Sequence, residues 1–140
     1  MLLSFLFGII DKIKYLIIEK VFFMVLKEFT DLSKKLTKDY FDSIDLDGVN
    51  PPEIRDGVSS YFLRGGKRFR PALCLMCAAA AGGEKSIEMA VPVACASELY
   101  HIFTLVHDDI IDDDDVRRGG PTVHIKVRND LLTEYGSELN

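Results

Sequence analysis

"LVHDDIIDDDDVRRGG", residues 105–120, sets six aspartates within eight positions, between an apolar lead-in and a pair of arginines. On a helix turning ~100° per residue, Asp108, Asp112 and Asp115 share a face, Asp109 lies at its edge, and Asp113 and Asp114 point away. Like charges three or four residues apart repel, aspartate is a mediocre helix former, and a helix C-terminus is the negative end of the macrodipole. Something positive must offset the cluster. One reading is a solvated acidic helix end, balanced by water and by Arg117 and Arg118. The other is a divalent-cation site. Mg²⁺ takes one or two carboxylates and leaves its other positions to water and phosphate. Asp108 and Asp112, one turn apart with Asp109 in support, suit that, and the two arginines offer fork-shaped donors to a phosphate ligand.

Working outward, Ser86 to about Asp112 reads as one long helix with an apolar stripe of Leu99, Phe103, Val106 and Ile110. Pro92 either kinks it or marks its first turn. Upstream lies "RGGKRFRP", residues 64–71. Gly65 and Gly66 permit positive φ or a close approach to a ligand. Lys67, Arg68 and Arg70 place three cations around a phosphate-sized space, beside the free N–H groups of the helix that Pro71 opens. The spacing is not that of a Walker A loop. That helix stops at Gly82-Gly83.

Earlier still, "PEIRDGVSSYFL" forms a short helix, "DLDGVNPP" a break, and Leu26, Phe29, Leu32 and Leu36 recur at helical spacing. Downstream, "RRGGPTVH" is a loop before a last helix, "TVHIKVRNDLL". No period-2 strand with hairpin punctuation stands out, so the class is all-α.

Apolar residues make up 48% of the 140 and charged residues 28%, the balance of a globular protein. A net charge of −5 argues against a general nucleic-acid binder. Cys74, Cys77 and Cys95 suit a reducing compartment, and the Cys74/Cys77 pair reads as buried small apolar residues within an alanine-rich helix. The expected location is cytoplasmic. Residues 1–27 are strongly apolar, but Asp11, Lys12, Lys14, Glu19 and Lys20 interrupt them before a spanning length of ~18 residues. A helix packed on a partner or an extension ahead of a start at Met24 is expected there, with weak membrane association as the rival.

The stretches "GGKRFRP", "ELYHIFTLVHDDIIDDDD" and "RRGGPTVH", in that order, resemble the trans-prenyl diphosphate synthases of the polyprenyl synthetase family, most closely the archaeal-type geranylgeranyl and farnesyl diphosphate synthases. The resemblance covers residues 28–124. It leaves 1–27 as an apolar extension and 125–140 as a divergent tail. It implies the N-terminal part of the isoprenoid synthase helical bundle, truncated. It also implies Mg²⁺-dependent joining of an allylic diphosphate to isopentenyl diphosphate, with a short-chain product.

By the same resemblance Asp108, Asp109 and Asp112 form the first aspartate-rich motif, with Asp108 and Asp112 as metal ligands. Arg117 grips the allylic diphosphate, while Lys67, Arg70, Arg118 and His101 hold isopentenyl diphosphate. Phe103, with Thr104 next to it, limits product length. His107 and His124 receive no role. The family's second aspartate-rich motif and later lysines have no counterpart in this sequence. Two functions are therefore expected: an enzyme completed by a second polypeptide, or a non-catalytic diphosphate-binding or partner subunit. Homodimers, or pairing with a full-length synthase, are implied.

Overall fold

Glycine and proline divide the chain into helices much as the sequence reading expects. The structure, a computed structural model, describes the backbone of residues 2–136 and the side chains of residues 12–136. Helix α1 spans Leu2–Asp42, α2 Pro52–Leu63, α3 Phe69–Gly82, α4 Lys85–Ile111 and α5 Val123–Tyr135. The all-α class holds. α1 runs unbroken past Lys27, and α5 runs unbroken past His124.

One departure from the expected pattern lies in "VRRGGP". Val116–Arg117 (β1) pairs antiparallel with Gly120–Pro121 (β2), making a two-residue hairpin where a loop was expected. Its central residues, Arg118 (φ 51°) and Gly119 (φ 75°), both have positive φ, the requirement of a type I′ turn. Glycine supplies it freely at the second position. A two-residue strand is too short to leave an alternating pattern, which is why periodicity missed it.

α4 is the helix on which the others assemble, touching all four. By length and apolarity alone it is a helix that a bilayer could accept, yet its packed stripe is Val91, Ala94, Cys95, Glu98, Ile102 and Asp109. This corrects the expected stripe. Phe103 and Ile110 are more than half exposed, and Leu99 and Val106 only partly buried. Two acidic residues occupy the buried face instead. Pro92 sits in the second turn and on the exposed side of an uninterrupted helix, not in the first turn.

Two apolar clusters flank that stripe. Phe41, Tyr61, Phe62, Cys95, Ile102 and Val123 join α1, α2, α4 and α5, and the Phe41 and Phe62 rings stack with centroids 4.1 Å apart. Leu75, Val91 and Ala94, with Phe29 and Leu36 packed on them, join α1, α3 and α4. Among the described side chains of α1, those that enter the core lie in its C-terminal half. Its buried hydroxyls are satisfied at short range: Thr37 donates to the Ser33 carbonyl (2.7 Å), and Ser33 to those of Thr30 (2.9 Å) and Arg68 (3.2 Å). Of the cysteines, Cys95 is buried, whereas Cys74 is half-buried and Cys77 exposed, so the pair on α3, expected to be buried, does not share one buried environment.

The buried Glu98 is answered by Arg68, which begins α3 in the left-handed region (φ 52°) and turns inward. Its guanidinium donates to Glu98 (2.6 Å) and to the carbonyls of Phe62 and Gly65, and lies 4.4 Å over the Phe62 ring. Arg68 is thus a structural residue, not one of three cations open to a ligand. Removing it leaves a buried carboxylate short of its partner. Arg68→Met should lower unfolding free energy by about 3 kcal/mol in urea titrations, and adding Glu98→Leu should recover a large part of that loss.

Candidate functional site

The acidic cluster is split by the end of α4. Asp112 caps the helix, its N–H bonded to the Asp108 carbonyl (2.8 Å). Asp113 then takes the left-handed conformation (φ 56°), and the Asp114 N–H reaches back to the Asp109 carbonyl (3.0 Å). This is the Schellman closure, with aspartate in the place usually held by glycine. Asp115 therefore lies beyond the helix, and its carbonyl accepts from the Thr122 N–H at the foot of the hairpin. The expected shared face of Asp108, Asp112 and Asp115 reduces to Asp108 and Asp112, both exposed.

Asp109 faces the other way and is 0% exposed. Its carboxylate accepts from the Tyr61 hydroxyl of α2 and from Nε of Arg117 in β1. Tyr61 in turn accepts from the Val123 N–H of α5 (3.2 Å). Burial, and then the hydrogen bond to Asp109, push the Tyr61 hydroxyl up to about 12, so it stays protonated and donating. Arg117 is committed inward, to Asp109 and at 3.5 Å to Asp114. Arg64 secures the hairpin by donating to the carbonyls of Arg117 and Pro121, each at 2.8 Å.

The cationic half of the site lies further back along α4. A cavity of about 400 Å³ is lined by Lys67 and Arg70 from the turn and first residues of α3, His101 from α4, and Arg118 from the hairpin. These are the four residues expected to act together. Arg118 reaches the cavity by crossing the double-glycine turn, donating to the carbonyls of Tyr61 (2.9 Å) and Gly65 and lying 4.0 Å from Glu98. A Cβ on Gly66 (φ 145°) would stand 3.0 Å from that guanidinium, so this crossing needs glycine. Burial pulls Arg118 below its usual pKa. Glu98 opposes that pull, while Arg68, Arg117 and Arg64 add to it. Burial, with the charges of Arg70 and Arg118, also holds His101 below the ordinary histidine value.

Phe103 lines a second cavity of about 380 Å³, walled by Phe41, Ile44, Val58, Leu99 and Val106. Thr104 turns elsewhere, its hydroxyl donating to the His101 carbonyl (2.8 Å). His107 bonds the Phe103 carbonyl through Nδ1 (2.8 Å), and His124 Nδ1 is buried without a partner. Tyr61, Glu98 and Arg64 escaped the sequence reading. Glu98 was the findable one, because it falls at helical spacing between Cys95 and Ile102 in an otherwise apolar row.

The family model described as polyprenyl synthetase matches residues 52–134, from α2 through most of α5. The chain belongs to the polyprenyl synthetase family. It is 46% identical over 92 residues to a geranylgeranyl diphosphate synthase of Cyanophora paradoxa, covering 64% of this chain and 30% of that protein. It is 48% identical over 79 residues to a geranylgeranyl diphosphate synthase of Methanosarcina mazei, covering 56% and 24%. It is 42% identical over 91 residues to the large subunit 1 of a heterodimeric geranylgeranyl pyrophosphate synthase of Arabidopsis thaliana, covering 64% and 24%. This polyprenyl synthetase chain thus spans about a quarter to a third of the length of the curated relatives it matches. No solved structure matches it.

Neighbouring aspartates should respond oppositely to mutation. Asp109→Ala strips the hairpin and α2 of a shared acceptor and should cost about 3 kcal/mol. Asp108→Ala, at an exposed and negatively charged helix end, should stay within about 0.5 kcal/mol of the parent. Chemical denaturation at neutral pH measures both. A further expectation follows from His101. Its depressed pKa means that its contribution to stability is complete above the unfolded value of about 6.5 and is lost as the pH falls through the lower folded value. His101→Gln should flatten that acid-side loss in denaturation curves taken from pH 7 downward.

Proposed function

We propose that this chain supplies one wall of a prenyltransferase site that joins an allylic diphosphate to isopentenyl diphosphate, making a short-chain product of the geranylgeranyl class. The observation that carries the reading is the convergence of Lys67, Arg70, His101 and Arg118, from three separate elements, on one cavity beside a helix whose last turn presents Asp108 and Asp112. Family membership supports it.

Lys67, Arg70 and Arg118 hold the isopentenyl diphosphate by charge and by forked hydrogen bonds, and a neutral His101 adds a polar contact. Asp108 and Asp112 fit Mg²⁺. They are two exposed hard-oxygen donors one turn apart, and among the described residues no group of three or more candidate ligands closes a cage. That leaves coordination positions for a diphosphate. The chemistry such an ion supplies is Lewis-acid stabilisation of the departing diphosphate. Asp109 and Arg117 act one step back: their pairing fixes the end of α4 and the hairpin, and so the aim of Asp108, Asp112 and Arg118. Phe103, at the wall of an apolar cavity one to two turns before the aspartates, limits the space for a growing prenyl tail.

A second reading, a diphosphate-binding partner subunit without turnover of its own, draws support from two observations. Exposed Val93, Tyr100, Phe103, Ile110 and Ile111 line α4, and one similar protein is named as the large subunit of a heterodimer.

Mg²⁺ and a non-hydrolysable allylic diphosphate analogue, titrated calorimetrically into the chain, should bind together. Asp108→Ala/Asp112→Ala should abolish the Mg²⁺-dependent part, and Arg70→Ala should weaken inorganic pyrophosphate binding by about tenfold. Prenyl transfer assayed with and without a full-length homologue separates the two readings. Turnover by the chain alone, or by an inactive homologue complemented by it, supports the enzyme. Stimulation of an active homologue that survives Asp108→Ala/Asp112→Ala supports the subunit. Absence of any diphosphate binding overturns both.

A further inference from the structure

We infer that the stretch of α1 from Ile13 to Met24 is a docking surface for an anionic lipid bilayer, on which the helix lies flat with the folded body held in water. Of the exposed large apolar residues between Ile13 and Met24, Ile13, Ile17, Ile18, Val21 and Met24 fall, at ~100° per residue, within one arc about 140° wide, and Tyr15, Leu16, Phe22 and Phe23 fall outside it. The five in the arc are all exposed, and among the described side chains Phe29 is the first of α1 packed against a core cluster. The side of α1 that meets the body carries Phe29, Ser33 and Thr37. Continued up the helix, that side is centred about 130° away from the apolar arc. A flat surface can therefore reach the arc without displacing α3 or α4.

Charge selects the occupant. Residues 1–27 hold four lysines, Lys12, Lys14, Lys20 and Lys27, against Asp11 and Glu19, a local net charge of +2. The chain as a whole carries −5, so the remaining residues carry −7. A basic segment on an acidic body orients towards a negative surface and turns the body away from it. Lys12 lies opposite the arc, and Lys20 and Lys27 flank its edge, roughly 20° and 40° outside it, where lysines of an interfacial helix stay at headgroup level. Lys14 falls inside the arc, and its four-carbon stem lets the ammonium reach headgroups from there. These interruptions exclude a spanning helix and suit one lying in the interface. Two copies laid arc to arc would bring like-charged segments together, which disfavours a second chain as the occupant.

The full chain should float with phosphatidylcholine–phosphatidylglycerol vesicles, bind phosphatidylcholine vesicles much more weakly, and release as salt is raised. Lys12→Glu/Lys20→Glu/Lys27→Glu should weaken anionic-vesicle binding on the order of 100-fold. Ile17→Asp/Val21→Asp should abolish it. These residues lie outside both apolar clusters, so unchanged helicity and melting of the variants provide the folding control. Failure of the parent chain to bind anionic vesicles overturns the inference, as does equal binding by the charge-reversed variant. A vesicle-free dimer in light scattering, dissociated by Ile17→Asp/Val21→Asp, also overturns it and assigns the arc to a second copy. None of these outcomes touches the diphosphate cavity, whose titration is read separately.

Discussion

A carboxylate removed from water needs its lone pairs answered, and Asp109 draws its partners from two other elements. Tyr61 comes from α2 and Arg117 from β1, and Tyr61 extends the network to the Val123 N–H at the start of α5. Losing any one partner leaves charge or a polar group stranded in a low-dielectric interior, where the cost is a few kcal/mol. Four elements are thus held in one arrangement by polar geometry, where apolar contact alone would let them slide. Glu98 repeats the device about three turns earlier, with Arg68 as its partner and Arg118 nearby. Between them, the two acids fix both ends of the stretch of α4 that carries His101, Phe103 and Asp108.

Each doublet in the sequence is divided by this constraint. Helix geometry sets adjacent residues about 100° apart, so burying Asp109 turns Asp108 outward. In the hairpin, Arg117 is drawn to Asp109 while Arg118, in the turn, crosses to the glycine turn and the cavity. One member of each pair holds the structure and the other faces the site. The division also explains how six aspartates coexist at a negative helix end. Asp109 is neutralised inside, Asp114 is paired at longer range with Arg117, and Asp113 to Asp115 leave the helix altogether.

Helix boundaries were legible because glycine, proline and the i, i+4 spacing act locally. α2 begins and ends where "PEIRDGVSSYFL" indicates, and α3 ends where Gly82-Gly83 indicates, though it begins at Phe69, two residues before Pro71. The grouping of Lys67, Arg70, His101 and Arg118 was legible only through family resemblance, since no local rule brings residues 67 and 118 together. The inward turn of Arg68 and the burial of Asp109 were not legible at all. A charged side chain is assigned to solvent by default, and only the partner supplied by tertiary packing reverses that. The mistaken stripe on α4 has the same origin. Leu99, Phe103, Val106 and Ile110 look more apolar than a row containing Glu98 and Asp109, yet paired acids let the latter row be buried.

The separation between the two charged regions bears on how ligands would share the site. His101 and Asp108 are seven residues apart on one straight helix, about 10 Å at 1.5 Å per residue. A single diphosphate is too short to bridge that distance, so the basic cavity and the aspartates read as two stations along α4, one for each diphosphate substrate of the proposed reaction. The station near His101 has a cationic excess, Lys67, Arg70 and Arg118 against the buried Glu98, with Arg118 held below its usual pKa by burial and by neighbouring arginines. An arriving anion relieves that repulsion. The station at Asp108 and Asp112 is acidic and accepts a diphosphate only together with a cation. In the proposed reaction, substrates of identical charge would thereby be sorted by whether they bring metal with them, with the paired, buried Glu98 and Asp109 setting the spacing along α4.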